Sequence, residues 1–497
     1  MKKKLLHALK AVTLKTIQVV VSSLIGATIL YIYLMNNRPD LNLWHTVHLD
    51  EEFTVQHQAH IKTFDDYLAL ENTLFSQLEH EVYQLTSSSP RNALNRFDSG
   101  SLADPVNYPK NWNRSFILKP EQPRGGVLLV HGLSDSPYSL RKLANTLFSQ
   151  GYYVLGLRMP GHGTAPSGLI HASWQDMAAA VKLAAHHVSQ NIADEAPISI
   201  VGYSMGAAQA VNYSLTALRD RTLPQVNTLA LISPAIGVSS VASLAVWQSR
   251  LSVIPGLEKL AWNSIGPEYD PYKYNSFAVN AGDQMYRLTQ AINEQLLQLN
   301  NAGQNGEFPR TIALMSVIDA TVSTQAVVNN LFDQIDNPDN ELVIFDINRN
   351  ESYTPFIKKD PIEDYGHLLD NGTLKFNLTL YSDQSTDTDQ LVAHKWLRSE
   401  QESTFAPTDM IWPRHVYSLS HVALPFAPTD SFYGSIPENS NGLQIGRLET
   451  KGEKGLLNIS ASDMLRLRYN PFYNTLQQKI IEFIEKPHRL TDPAVSL

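Results

Sequence analysis

The chain has 497 residues, no cysteine and a formal net charge of -9 at pH 7. This length is enough for one large domain with insertions or for several domains, while the lack of cysteine excludes disulfides, thiolate metal sites and a cysteine nucleophile. The acidic balance, with no Lys/Arg run beyond the extreme N-terminus, argues against nucleic acid as a partner.

The N-terminal segment predicts a transmembrane helix. Residues 16–35 carry no charged side chain, and a helix of that length spans a bilayer. Several lysines precede this run and only Arg38 follows it closely, so the N-terminus is predicted in the cytoplasm and the main domain in the periplasm or outside the cell. A cleaved signal peptide is the alternative, although the run is long for one.

The rest of the chain divides by its hydrophobic patterns. We expect a basic tail and anchor in residues 1–38, a helical stalk or linker in 39–110, and one domain in 111–497. Apolar residues between Phe64 and Leu85 recur at three- and four-residue steps, which predicts an amphipathic helix that forms a stalk or packs on the main domain.

From Gly126 onward, continuously apolar runs such as GVLLVHG, YYVLGLRM, ISIVGYS and TLALISPA alternate with helical patterns. This order predicts an α/β fold whose mostly parallel sheet has helices on both faces. The alternation stops at residues 239–309, a predicted cap insertion, and resumes at TIALMSV. A second insertion is predicted at 348–412, the runs LKFNLTLYSD and RHVYSLSH read as strands, and an amphipathic helix closes the chain.

The motif that carries chemistry is Gly-Tyr-Ser-Met-Gly at residues 202–206, between an apolar strand and a small-residue helix. G-x-S-x-G in this context predicts a nucleophile elbow, with Ser204 exposed on a tight turn at the end of the strand. The loop after VLLVHG and the residue after the nucleophile would supply oxyanion-hole N–H groups, which makes Leu133 and Met205 the candidates.

Three stretches, VHGLSDSPYS, LRMPGHGTAPSG and VGYSMGAAQA, together resemble the alpha/beta-hydrolase superfamily, in the branch of monoacylglycerol lipases and serine aminopeptidase-like hydrolases. The resemblance covers about residues 120–235. It implies the alpha/beta-hydrolase fold with a cap, and a structural rather than catalytic role for His162 in the PGHG loop. His131, beside the oxyanion loop, is likewise predicted to be structural.

The resemblance also implies a triad in the order Ser, acid, His. For the acid we predict Asp319, just past the apolar strand TIALMSV; Asp333 and Asp336 are alternatives further along the chain. For the base we favour His421, which ends a strand-like run and opens a loop, over His367, which acidic residues surround.

These residues predict an anchored serine hydrolase that cleaves small or lipid esters, with monoacylglycerols or lysophospholipids as plausible substrates. No metal or organic cofactor is expected, because no HExxH, Walker or dinucleotide motif occurs. Two alternatives remain open. One is an aminopeptidase-like enzyme whose cap carboxylates Glu258, Glu268 or Asp270 meet a substrate ammonium, and the other is a non-catalytic binding protein.

Overall fold

A computed structural model describes residues 2–237, 250–319, 322–353, 355, 357–365, 374–398, 400, 403–438, 442–447 and 466–486. Its helices, in chain order, are α1 Lys2–Asn36, α2 Leu43–Thr46, α3 Phe64–Leu78, α4 Arg141–Ser149, α5 Gly168–His171, α6 Trp174–Gln190, α7 Met205–Arg219, α8 Val279–Asn301, α9 Thr324–Val327 and α10 Tyr473–Glu485.

The strands build one large sheet and one small hairpin. They are β1 Phe116–Leu118, β2 Gly126–Val130, β3 Tyr153–Leu157, β4 Ile198–Tyr203, β5 Thr228–Ile232, β6 Trp262–Ser264, β7 Phe277–Ala278, β8 Arg310–Ser316, β9 Glu341–Phe345, β10 Asn377–Asp383, β11 Gln390–Trp396 and β12 Thr404–Ile411. The large sheet has the order β1-β3-β2-β4-β5-β8-β9-β10-β11-β12, and β6 pairs with β7.

The middle of the large sheet is parallel from β3 to β10, and its two edges are antiparallel, at β1–β3 and at β10–β11–β12. Side chains alternate across it. Leu128 and Val130 of β2 pack in one core with α6 and α7, while Val127 and Leu129 pack in the other with α4 and α10. Because both faces are covered, the central strands are buried along their length and mostly apolar, which is the pattern that predicted a parallel sheet.

Instead of standing free as a stalk, α3 packs on the core of the main domain. Phe64 and Tyr67 belong to the same apolar core as β2 and α6, and the Tyr67 hydroxyl donates to the carbonyl of Arg158 at 2.7 Å. The buried Arg158 guanidinium also pairs with Glu71 of α3, at 3.0 Å. The amphipathic face of α3 therefore has a partner in the main domain, and residues 39–110 include part of its core.

The second predicted insertion contains three strands that widen the sheet. LKFNLTLYSD holds β10, but RHVYSLSH, predicted as a strand, forms no strand, and β11 and β12 were not predicted. Pro407 lies inside β12, where it obscured the strand pattern; this is tolerated because β12 pairs only with β11 and is an edge strand.

The cap insertion begins after β5 and ends at β8. Its described part, residues 250–309, contains the hairpin β6–β7 and the long helix α8, which packs on α7. Trp262, Tyr272 and Tyr274 are buried, whereas the aromatic Trp247 lies outside the described residues. The cap thus leaves the carboxyl end of β5, close to the residues that follow β4, and returns to the amino end of β8.

Candidate active site

Ser204 lies on a strained turn between β4 and α7. Its φ of 54° is in a region that side-chain-bearing residues rarely adopt. The surrounding main chain holds it there, because its N–H donates to Ile232 O at 2.9 Å and its carbonyl accepts from Ala235 N at 3.1 Å. As the N-cap of α7, Ser204 also lies at the positive end of that helix dipole.

The flanking glycines are required by backbone contact. A Cβ on Gly202 would lie 2.4 Å from Ala207 Cα, and one on Gly206 would lie 2.0 Å from the carbonyl oxygen of Val130. Neither neighbour is a side chain that can move aside. The serine therefore stands between two glycines because strand, turn and helix pack too closely for any other residue.

Three predicted residues from distant parts of the sequence are joined by two hydrogen bonds. His421 Nε2 lies 3.1 Å from Ser204 Oγ, and His421 Nδ1 lies 2.8 Å from Asp319 Oδ2. The Asp319 side chain is fully buried, and its other oxygen accepts from Val322 N at 2.9 Å. With the Nδ1 proton held by the carboxylate, Nε2 is left to accept the serine proton.

His421 is held by its backbone. It starts a short 3₁₀ turn, His421–Ala423, and its carbonyl accepts from the hydroxyl of Tyr203 at 3.3 Å. The preceding Ser420 donates its hydroxyl to Leu467 O at 2.7 Å. Tyr203, the last residue of β4, thus supports His421, whose ring faces Ser204, the next residue along the chain.

The alternative acids lie elsewhere. Asp336 pairs with Arg398 at 2.6 Å, and Asp333 is exposed at the end of a helical turn. The alternative base, His367, lies outside the described residues. The three groups that the structure brings together are therefore Ser204, Asp319 and His421.

The predicted oxyanion donors lie on two adjoining elements. Met205 N is in the first turn of α7, where helical N–H groups have no intrahelical acceptor. Leu133 follows β2 directly, in a loop whose next residue, Ser134, has a φ of 63°. Within the described part of the chain, neither amide has a hydrogen-bond acceptor, so both are available to a negative oxygen.

The cap holds the loop that carries Leu133, a feature we did not predict. Tyr274 N donates to Ser134 O at 2.8 Å, and Lys273 Nζ pairs with the buried Asp135 at 2.9 Å. Asp135 stands in the stretch GLSDSPYS, but only folding shows that its partner is a lysine of the cap. The loop that carries Leu133 is thereby fixed from the cap side.

His131 and His162 have the structural character predicted for them. His131 Nε2 accepts from Met159 N at 3.1 Å and its Nδ1 donates to Gly132 O at 2.8 Å. Burial lowers the pKa of His131 well below its ordinary value and lowers the pKa of His162 to about 4. Both rings are therefore neutral and bound to the backbone.

The cap carboxylates are bound within the protein. Glu268 accepts from Asn275 N and Ser276 N at 3.1 and 2.8 Å, and burial raises its pKa to about 7. Asp270 is also buried, accepts from the hydroxyl of Tyr433 at 2.7 Å, and has a pKa raised by burial. Backbone N–H groups and the Tyr433 hydroxyl thus already hydrogen-bond to the two buried carboxylates.

Comparison with known proteins identifies one family model and several proteins that are similar to this chain. The sequence model of the family described as Serine aminopeptidase, S33, matches residues 121–346. A thermostable monoacylglycerol lipase from Bacillus sp. (strain H-257) is 30% identical over 118 residues, which are 24% of this chain and 44% of the relative. The match therefore spans less than half of the relative's length.

Two solved structures are similar at lower identity. A monoacylglycerol lipase from Paleococcus ferrophilus is 19% identical, with a TM-score of 0.36, 47% of this chain covered and 88% of the other. A structure reported for LipS and LipT, two metagenome-derived lipolytic enzymes, is 20% identical, with a TM-score of 0.36, 47% of this chain covered and 87% of the other.

Proposed function

We propose that this chain, a member of the alpha/beta-hydrolase superfamily in the branch of monoacylglycerol lipases and serine aminopeptidase-like hydrolases, is a serine hydrolase that cleaves carboxylic esters of lipids. The observation that carries the proposal is the hydrogen-bonded chain from Ser204 Oγ through His421 to Asp319. A nucleophile, a base and a buried acid in this order are what acyl transfer requires.

The reaction follows from the roles of these atoms. His421 Nε2 takes the Ser204 proton as Oγ attacks the ester carbonyl, and Asp319 stabilises the imidazolium that forms. The N–H groups of Leu133 and Met205 bind the oxyanion of the tetrahedral intermediate. The imidazolium then protonates the departing alcohol, leaving an acyl-enzyme that water hydrolyses with His421 again as base.

Two observations favour an ester over a peptide with a free N-terminus. Glu268 and Asp270, the buried cap carboxylates, are already bound by backbone N–H groups and by Tyr433, so neither is free for a substrate ammonium. The curated relative is a monoacylglycerol lipase, which supports a monoacyl lipid ester as substrate class. Glu258, the third cap carboxylate considered for a substrate ammonium, is exposed, and its side chain accepts from Gly256 N at 3.0 Å.

We further propose that α1 anchors the enzyme in a membrane, with the N-terminus in the cytoplasm and the hydrolase domain in the periplasm or outside the cell. Residues Val12–Asn36 have the length and hydropathy of one membrane span, and this apolar segment is not buried in the protein. At about 1.5 Å per residue this segment exceeds the roughly 30 Å hydrocarbon core. A mature protein that lacks these residues on N-terminal sequencing would instead identify a cleaved signal.

The deciding experiment is labelling of the full chain in detergent by a fluorophosphonate, with Ser204→Ala, His421→Ala and His367→Ala beside the wild type. We expect labelling in the wild type and the His367 variant, and loss in the other two. An unreactive, folded wild type would favour a non-catalytic binding protein. Hydrolysis of aminoacyl amides but not of monoacylglycerol by a reactive enzyme would favour the peptidase.

A further inference from the structure

The end of the anchor helix is fastened to the cap. Lys259 of the cap donates to the carbonyl oxygens of Asn36, the last residue of α1, at 3.2 Å and of Arg38 at 2.9 Å, and it pairs with Asp40 at 2.9 Å. A cation at a helix C-terminus satisfies unpaired carbonyls and interacts favourably with the helix dipole. We call Lys259 and Arg38 with these contacts the anchor clamp.

In the second half of the anchor clamp, the donor follows α1 and the acceptors belong to the cap. Arg38 Nη1 donates to Trp262 O at 2.6 Å and to Asn263 O at 3.0 Å. The chain after the clamp continues on the cap, where Leu41 packs in the Trp262 cluster and the ring of His45 meets Trp262 edge-on at 5.0 Å. The surface of the cap therefore lies within reach of the first few residues after α1, each of which spans at most about 3.5 Å.

An exposed apolar turn of the cap lies next to this clamp. Leu251, Val253 and Ile254 are 39%, 83% and 48% exposed. A run of turns connects them to the clamp, because Leu257 N donates to Ile254 O at 3.0 Å and Leu260 N to Leu257 O at 2.9 Å. We call residues 251–254 the cap turn.

We propose that the cap turn inserts into the bilayer leaflet from which α1 emerges, so that a phospholipid membrane is the partner of this surface of the cap. The inference rests on the proposed membrane span of α1 and extends that lipid contact to the cap. Three neighbouring apolar side chains lose water-exposed area by insertion. The anchor clamp keeps them at the exit of the helix, and Arg38 and Lys259 have long stems that suit the headgroup region.

The surface is tested on the full chain, which has no cysteine of its own, so a single cysteine can be labelled cleanly. Val253→Cys carries an environment-sensitive nitrobenzoxadiazole dye after reconstitution into phosphatidylcholine vesicles. The matched control is Leu297→Cys. Leu297 is 58% exposed and lies near the carboxyl end of α8, which leads to the amino end of β8. We expect doxyl-lipid quenching and a blue-shifted emission at position 253 and neither at position 297.

The outcomes separate this inference from the proposals beneath it. Protein that floats with the vesicles while position 253 stays unquenched overturns the cap-turn contact and leaves the anchor in place. Protein that does not float overturns the anchor and the cap-turn contact together. Quenching at position 253 in an enzyme that cleaves no ester supports the membrane surface and counts against the proposed reaction.

Two further variants test the cause of the contact. Val253→Asp is expected to lower turnover of monoacylglycerol dispersed in vesicles about tenfold and to leave turnover of a soluble short-chain ester unchanged, and an equal loss on both substrates would contradict the inference. Lys259→Met, which removes one half of the anchor clamp, is expected to weaken quenching at position 253 while the protein still floats. Unchanged quenching would show that the clamp does not position the cap turn.

Discussion

Ser204 and His421 meet at 3.1 Å, but the structures that deliver them differ in kind. Ser204 belongs to one continuous strand, turn and helix whose sequence motif, residues 202–206, lies within a few positions of it, and this turn packs against the carbonyl oxygen of Val130 in β2. His421 follows Asp319 by 102 residues, after β9 and the three strands that widen the sheet beyond it. The proposed nucleophile is thus recognisable from a local motif, whereas the proposed base has no such motif and is positioned by contacts between distant segments, so substitutions are expected to act differently on the two.

The largest expected effect is on the base. Asp319→Asn removes the carboxylate that holds the Nδ1 proton of His421, so kcat should fall by about 10⁴, with the fold intact by circular dichroism. The control is Asp336→Asn, which changes only the pair with Arg398. If the Asp336 variant loses activity and the Asp319 variant keeps it, the assignment of the acid is wrong.

The local half of the comparison is tested by stability. In Gly206→Ala the new Cβ would lie 2.0 Å from a backbone oxygen, and we expect the free energy of unfolding to fall by about 3 kcal/mol or more. Gly306→Ala is the control, because the nearest atom to its Cβ would be Asp336 O at 3.5 Å. Equal urea midpoints for the two variants would contradict the tight-turn explanation.

A cap carboxylate provides a pH test outside both regions. The folded pKa of Glu268, about 7, exceeds its ordinary value of 4.5, so its contribution to stability is full below pH 4.5 and is lost as the pH rises through 7. Glu268→Gln should remove this slope, on the order of 3 kcal/mol, in thermal unfolding from pH 4.5 to 8. The exposed Glu258→Gln should keep the slope, and a slope retained in both variants would rule out Glu268 as its source.

The smallest effect is expected where the two regions touch. Tyr203→Phe removes the hydrogen bond from β4 to the carbonyl of His421, which is worth about 1 kcal/mol, and should lower kcat about fivefold with little change in KM. Tyr153→Phe, which loses a hydrogen bond to His187 away from the site, should leave kcat unchanged. A change in KM alone would mean that Tyr203 acts on substrate binding rather than on the base.

Residues that act through local structure were readable from the sequence. The elbow, the alternation of apolar strands with helices, and the amphipathic helix at the C-terminus depend on periodicity and on glycine geometry, which neighbouring residues determine. Asp319 was predictable for a similar reason, because it lies three residues after the buried strand β8, whose carboxyl end is separated from that of β4 only by β5.

The strands around the base were not readable in the same way. RHVYSLSH looks apolar enough for a strand, yet it forms none, whereas β12 contains a proline and does form one, at the edge. Pairing energy in a sheet comes from neighbours that can lie far away in sequence, so a single strand's pattern does not report it. The choice of His421 depended on strand-end geometry and on the resemblance, and its hydrogen bonds are tertiary contacts.

The sequence by itself predicted the proposed nucleophile, the class of fold and the presence of an apolar N-terminal segment, because each depends on short-range pattern and composition. Only the tertiary structure decided that α3 packs on the core, that Lys273 of the cap holds Asp135 in the loop that carries Leu133, and that Lys259 closes the end of α1. These contacts join residues far apart in the chain. They form only when these distant segments fold together, which no local pattern encodes.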